Sequence, residues 1–231
     1  MPWRRMVAEF TAVLTGVLLA LFADATWDAR QDRLAERQYL ASIHSEFIEN
    51  GVSIDELLAF HRGTQAGLGR LLTVIDSPEA FVSSDSVNAW VLSLAAADAF
   101  QPVMATYDDL VNSGRLGLIR SDSLRAGLAR FEREVERTTY QEQWLFEFSQ
   151  NQAFPFLTTE TVLRDIFASR GGAMSESRFD TDFQRLMSSP SFENLVVLRQ
   201  GIGNVSIVQL ESLRETVLLI VRLSEASLDR S

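Results

Sequence analysis

The feature that most constrains this chain is a charge-free run near its amino terminus, Phe10 to Ala23 (FTAVLTGVLLALFA). Its fourteen residues make about 21 Å of helix, short of the roughly 20 residues that a ~30 Å hydrocarbon core needs. The flanks extend it, with Met6, Val7 and Ala8 before Glu9, and Ala25 and Thr26 after Asp24. Trp3 and Trp27 lie 24 positions apart, about 36 Å along a helix, which suits two interfacial aromatic anchors. The expectation is a transmembrane anchor over 1–27 held by Trp3, Arg4, Arg5 and Trp27, with Glu9 and Asp24 in the wet margins. Ala12, Gly16 and Ala20 fall four apart, a small-residue spacing that permits close helix–helix packing. A cleaved secretory signal is the rival, since Ala23-Asp24-Ala25 satisfies a small-x-small site. The helical pattern running on past Trp27 without Gly or Pro favours an uncleaved anchor.

That pattern continues through 28–50 as a charged stalk helix without Pro or internal Gly. Leu34, Leu40, Ile43 and Phe47, joined by Tyr39 and Ile48, recur at helical spacing. Asn50-Gly51 is a place for the helix to bend or end, and Ile54, Leu57, Leu58, His61, Leu68, Leu71, Leu72 and Ile75 carry the stripe to Ser77-Pro78. Gly63, Gly67 and Gly69 weaken this half by up to about 1 kcal/mol each relative to Ala.

Further helices are expected from a Ser84 or Asp85 cap to Ala97, from Pro102 to Ser113-Gly114, and from Ser121-Asp122-Ser123 to about Gln152, where Pro155 breaks the last. Shorter ones follow over 158–169 and 180–188, flanking the loop Arg170-Gly171-Gly172. A final long helix runs from Ser191 to Leu228, with Leu195, Leu198, Ile202, Val205, Leu213, Val217, Ile220, Val221 and Leu228 mostly on one stripe. No stretch alternates with period two long enough to demand a sheet. The fold class expected is all-α: an N-terminal transmembrane helix continuing into a charged stalk, and a helical bundle over 51–231.

Charge narrows the partners. The chain carries 31 acids against 21 basic residues, for a net −10, and every basic residue is Arg. So acidic a surface argues against nucleic acid and against anionic lipid headgroups. With no Cys, disulfides and thiolate metal sites are absent. A short basic tail before a span puts the amino terminus in the cytoplasm and the main domain in the periplasm, although Arg30, Arg33 and Arg37 nearly balance the count.

Two blocks carry a resemblance. The first is Gly16-Val17-Leu18-Leu19-Ala20-Leu21, then Trp27-Asp28-Ala29-Arg30 and Glu36-Arg37-Gln38-Tyr39-Leu40. The second is Thr106-Tyr107-Asp108-Asp109-Leu110-Val111-Asn112-Ser113-Gly114-Arg115-Leu116-Gly117-Leu118-Ile119-Arg120. Together they resemble an uncharacterised bacterial family of single-span proteins, with a Trp-Asn-Glu-x-Arg-like exit from the span and a Tyr-x-x-Leu-x-x-Ser-Gly block. The resemblance implies an anchored helical domain and says nothing about activity. As structure, the second block reads as Tyr107, Leu110 and Val111 packing, Ser113-Gly114 ending a helix, and Leu116, Leu118 and Ile119 tucking the connection under the bundle.

No catalytic, metal or cofactor pattern emerges. His44 and His61 are the only histidines, about 25 Å apart on a continuous helix and without ligand-spaced partners, so both read as structural. Gly171-Gly172 lacks the Lys-Ser/Thr of a phosphate loop. The aromatic stretch Trp144, Phe146, Phe148, Phe154 and Phe156 holds too many rings for one helical face, leaving a possible partner surface beside core packing. The function expected is a non-enzymatic accessory subunit of a larger membrane complex, respiratory or photosynthetic, touching lipid and other membrane subunits. The alternative is an extracytoplasmic ligand- or signal-binding module. An enzyme would require a buried, converging set of acids or histidines in the fold.

Overall fold

In a computed structural model the protein is helical, with no strand among the described residues. The structure describes residues 3–169, 175 and 177–230, less the side chains of 4–8, 11–13 and 78. The elements are α1 (Trp3–Asp76), α2 (Ser84–Val91), α3 (Ala105–Asn112), α4 (Asp122–Phe148), α5 (Phe154–Glu160), α6 (Leu163–Ala168), α7 (Phe183–Met187) and α8 (Pro190–Leu228). Single 3₁₀ turns span Pro78–Ala80, Leu92–Leu94 and Leu116–Leu118. The expected loop at 170–172 lies outside the described residues.

The chain forms two compact units. Unit 1 comprises residues 1–47, 104–128 and 220–231, and unit 2 comprises 48–103 and 129–219.

In unit 1, Leu40, Ile43 and Phe47 of α1 are buried, along with Tyr107, Leu110, Ile119, Leu124, Leu128 and Ile220. Leu34 of the expected face is exposed, because Glu36 and Leu40, where the buried stripe of α1 begins, lie about 200–240° round the helix from it. The segment 104–121 is tied down by polar groups of α1. Glu46 accepts from the Thr106 amide at 3.0 Å and its hydroxyl at 2.6 Å, Tyr39 donates to Asp109 at 2.8 Å, and Glu36 accepts from the Arg120 amide at 2.8 Å. Glu36, Tyr39 and Glu46 share one side of the helix at 100° per residue. Glu36 and Glu46 take up backbone donors that would otherwise be left unpaired, while Tyr39 holds the Asp109 side chain.

The expected end of α3 at Ser113-Gly114 is present. Gly114 has φ +70, the Arg115 amide donates to Leu110 O at 2.9 Å, and the Gly114 amide donates to Val111 O at 3.1 Å. This is the paired termination in which a left-handed glycine turns the chain back over the last carbonyls. Val111, expected to pack, is exposed.

Unit 2 has its core between Leu68, Leu71 and Val74 of α1, Val87 and Val91 of α2, Leu145 and Phe148 of α4, and Phe192, Val196 and Ile202 of α8, with Leu157 and Ile166 closing it. Asn50-Gly51 does not end α1. The Asn50 side chain clamps Val103 instead, donating to its carbonyl at 2.8 Å and accepting from its amide at 2.7 Å. This clamp also explains why no helix starts at Pro102: Val103 has spent its backbone groups on Asn50, and α3 begins at Ala105.

Ser83 rather than Ser84 or Asp85 caps α2, its Oγ accepting from the Ser86 amide at 3.2 Å. Pro155 does not break the helical run. A π-turn at Ser149–Ala153 widens it, the Phe154 amide reaches back to Ser149 O, and Pro155 sits in the first turn of α5, where its missing N–H costs least.

Gly67 sits where a Cβ would fall 2.4 Å from Ser93 Oγ and 3.8 Å from Trp90 Cα, whereas one at Gly63 would meet nothing within 4 Å. Gly67→Ala is therefore expected to destabilise unit 2 by about 1–3 kcal/mol through overpacking. Gly63→Ala should stabilise it by about 0.5–1 kcal/mol through helix propensity. Urea midpoints of the two variants check the opposite signs.

Candidate functional site

Two regions bear on function: the apolar end of α1, and a buried polar set in unit 2.

At the apolar end, the described side chains from Leu14 to Asp28 are all exposed, as is Trp3. Leu14, Val17, Leu18, Leu19, Leu21, Phe22 and Trp27 are the large ones. They lie all round the helix rather than along one stripe, since 17, 18, 19, 21 and 22 step around it by 100° per residue. Gly16 and Ala20 of the expected packing face are exposed, and nothing lies within 4 Å of a Cβ at Gly16. The side chains of Arg4, Arg5 and Ala12 lie outside the described set. Among the described residues, no helix is long and apolar enough to cross a membrane. The charge-free run Phe10–Ala23 is about 21 Å of helix against a ~30 Å hydrocarbon layer. Positions 27, 28 and 50, at the edges of the expected anchor and stalk, all fall inside α1.

The aromatic stretch divides. Trp144 and Phe146 are exposed at 45% and 40%, but Phe148, at 1%, belongs to the core. Phe148 is therefore removed from the expected partner surface: it shares the buried side of α4 with Gln141, Glu142 and Leu145. Phe154 and Phe156 are half-buried against the core, and Phe156 stacks on Phe192 at 5.9 Å. The π-turn changes the helical phase between Phe148 and Phe154, so the five rings never form one surface.

The buried polar set surrounds the irregular segment 95–100. Ser149 Oγ donates to Ala95 O at 2.7 Å, Arg199 Nη2 donates to Ala96 O at 2.8 Å, and Glu142 Oε1 accepts from the Phe100 amide at 2.8 Å. Arg199 is 0% exposed and Glu142 5%. Burial pulls the Arg199 guanidinium down to about 10. Burial also pushes the Glu142 carboxyl up to about 7, opposed by the Phe100 amide and reinforced by the Asp98 carboxylate.

His61 is 1% exposed, edge-on to Phe60 at 5.4 Å, and neither ring nitrogen has a hydrogen-bond partner among the described residues. Burial and the Arg199 charge bring it down to about 4, with Asp98 pulling the other way, so it is neutral at physiological pH. His44 is the satisfied histidine expected, with Nδ1 3.3 Å from Val221 O and 3.2 Å from Ser224 Oγ. His61 departs from that expectation.

This set is what an enzymatic reading asked for, buried and convergent. However, Glu142 Oε1 and Arg199 Nη2 each engage a main-chain group, Arg199 Nε and Nη1 are buried without a hydrogen-bond partner among the described residues, and His61 is enclosed. No group of three His, Cys, Asp or Glu able to hold a metal occurs among the described residues. The geometry does a structural job, supplying hydrogen bonds to backbone that has left the helical ladder inside a core.

Searching the sequence for apolar residues missed Arg199 and Glu142. The signal lay in α8, where positions 192, 196, 199, 202, 206, 210, 213, 217, 220 and 224 step by three or four and are all buried. Arg199, Ser206 and Ser224 occupy that stripe, while Leu198 and Val205, expected on it, point outward.

The chain matches no family model, no curated protein and no solved structure.

Proposed function

We propose that this chain is a non-enzymatic accessory subunit anchored in a bacterial inner membrane by the first third of α1. Its amino terminus lies in the cytoplasm, its helical units in the periplasm, and it packs against a larger membrane complex. One observation carries the proposal: the apolar end of α1 exposes large hydrophobic side chains on every side of the helix. A helix apolar all round needs an apolar surround such as lipid, whereas a docking helix needs only one apolar stripe. The Trp3–Trp27 spacing and the Arg4-Arg5 tail around the charge-free run Phe10–Ala23 support reading that helix end as a span, although the run itself is short. The non-enzymatic reading is supported by the engagement of Glu142 and Arg199 with backbone. The likeness of the two sequence blocks to single-span bacterial proteins points the same way.

The full chain expressed in a bacterial host is expected to stay in the membrane pellet through an alkaline carbonate wash, and to leave it in mild detergent with a stoichiometric partner. Release by carbonate would end the anchoring proposal. A lone monomer in detergent would end the accessory one.

A further inference from the structure

Unit 1 holds a cavity of about 290 Å³ bounded by Arg33, Glu36, Arg120, Ser121, Ser227 and Arg230. These residues come from α1, from the connection leading into α4, and from the end of α8 and just beyond. Three guanidinium groups face one carboxylate. That is an excess of two positive charges, in a chain whose net charge is −10.

The fold uses little of this charge. Glu36 is already taken by Arg120, through its amide at 2.8 Å and Nε at 3.3 Å. Arg230 spends Nε on Ala226 O at 2.8 Å, which leaves its two terminal nitrogens. Arg33 has no ion pair or hydrogen bond among the described residues. Ser227 donates to Leu223 O, but Ser121 Oγ only accepts, from the Leu124 amide at 3.2 Å, so its proton is free for another acceptor. The nearby Asp122 is paired with Arg125. What lines the cavity is therefore a set of unused donors around a positive excess.

We propose that this cavity binds a phosphate group, carried either by a soluble phosphate or by a lipid headgroup. The forked guanidinium donates two parallel hydrogen bonds to phosphate oxygens. The volume lies at the lower end of the roughly 300–1,000 Å³ of small-ligand sites, enough for a headgroup or a small ester. Arg33 follows Trp27 by six residues, about 9 Å of helix, so a headgroup is within reach if the preceding residues enter a bilayer. The site itself does not depend on that anchoring, and a soluble phosphate would serve it equally.

Thermal unfolding of the detergent-solubilised full chain tests the proposal, with two probes. One is inorganic phosphate, titrated against chloride at constant ionic strength. The other is phosphatidic acid in mixed micelles, compared with phosphatidylcholine. A saturable rise in midpoint is expected with at least one probe. Arg33→Gln/Arg230→Gln should weaken it at least about tenfold, while Arg62→Gln, in unit 2 and paired with Glu211, leaves it intact. A response to inorganic phosphate identifies a soluble source, and a response to phosphatidic acid alone identifies a headgroup. No saturable response to either probe overturns the proposal, as does a double variant that behaves like the wild type or an Arg62→Gln loss of the same size.

Discussion

Arg199→Ala is expected to destabilise unit 2 by about 3 kcal/mol or more, and Arg199→Met by no more than about 1 kcal/mol. The difference follows from comparing what the charge gains with what it costs. Burial that brings the guanidinium down from its ordinary value to about 10 disfavours the cation by about 3 kcal/mol. Its one hydrogen bond among the described residues, to Ala96 O, returns roughly 1.5–3 kcal/mol. The charge thus nearly cancels, and the net value of the residue is the space it fills as the largest fully buried side chain. Methionine keeps most of that volume and loses the bond. Alanine loses both and leaves a cavity beside an unpaired carbonyl. In a Trp3→Phe/Trp27→Phe background, Trp90 and Trp144, both in unit 2, report urea unfolding of that unit directly. Equal damage from the two substitutions would show that the charge itself is required, which would reopen a ligand-binding or catalytic reading of the set.

The second large effect concerns pH. Glu142 is raised in the folded state to about 7, so the stability it contributes is full below its unfolded value near 4.5 and is lost as pH rises through 7. His61 is lowered to about 4, so its contribution is full above 6.5 and is lost as pH falls through 4. Between pH 4.5 and 6.5 the two slopes have opposite sign and similar size, and the wild type gains little either way. Removing one partner unmasks the other. Between pH 5 and 6.5, Glu142→Gln, which still accepts from the Phe100 amide, is expected to gain stability with pH by about 2 kcal/mol relative to wild type. His61→Phe should lose about as much over the same interval. Asp98, which acts on both groups, and Arg199, which acts on His61, stay in place in each variant, so the difference profiles isolate the pair. Parallel profiles for all three proteins would contradict the opposed titration.

Much of the architecture was legible in the sequence because helix-forming information is local. The 40–43–47 and 54–57–58–61 stripes of α1, the Ser121 start of α4, the Gly114 ending of α3 and the extent of α8 all follow from spacing and caps. What was illegible depends on segments distant in sequence. Asn50 looked like a helix terminator until its amide met Val103, 53 positions away. Pro155 looked like a break because a π-turn cannot be read from letters. Arg199 is absent from the expected stripe because a search for apolar residues passes over it, although the period of α8 places it inside. The cavity of unit 1 was hidden for the same reason, since Arg33, Arg120 and Arg230 are brought together only by the fold.

The discontinuity of unit 1 has a consequence for synthesis. Its first segment ends at Phe47 and its last begins at Ile220. At a translation rate of roughly 5–20 residues per second, the 172 intervening positions take roughly ten to thirty seconds. Within that interval the middle segment, 104–128, joins Leu40, Ile43 and Phe47, but the last segment is still missing. If the preceding helix end enters a bilayer first, this apolar stripe waits beside the translocation channel with its cover incomplete. Unit 2 has only two segments and ends at Leu219, so it can be complete before unit 1 closes. The newborn chain is thus expected to depend most on a holding chaperone at the end that was made first.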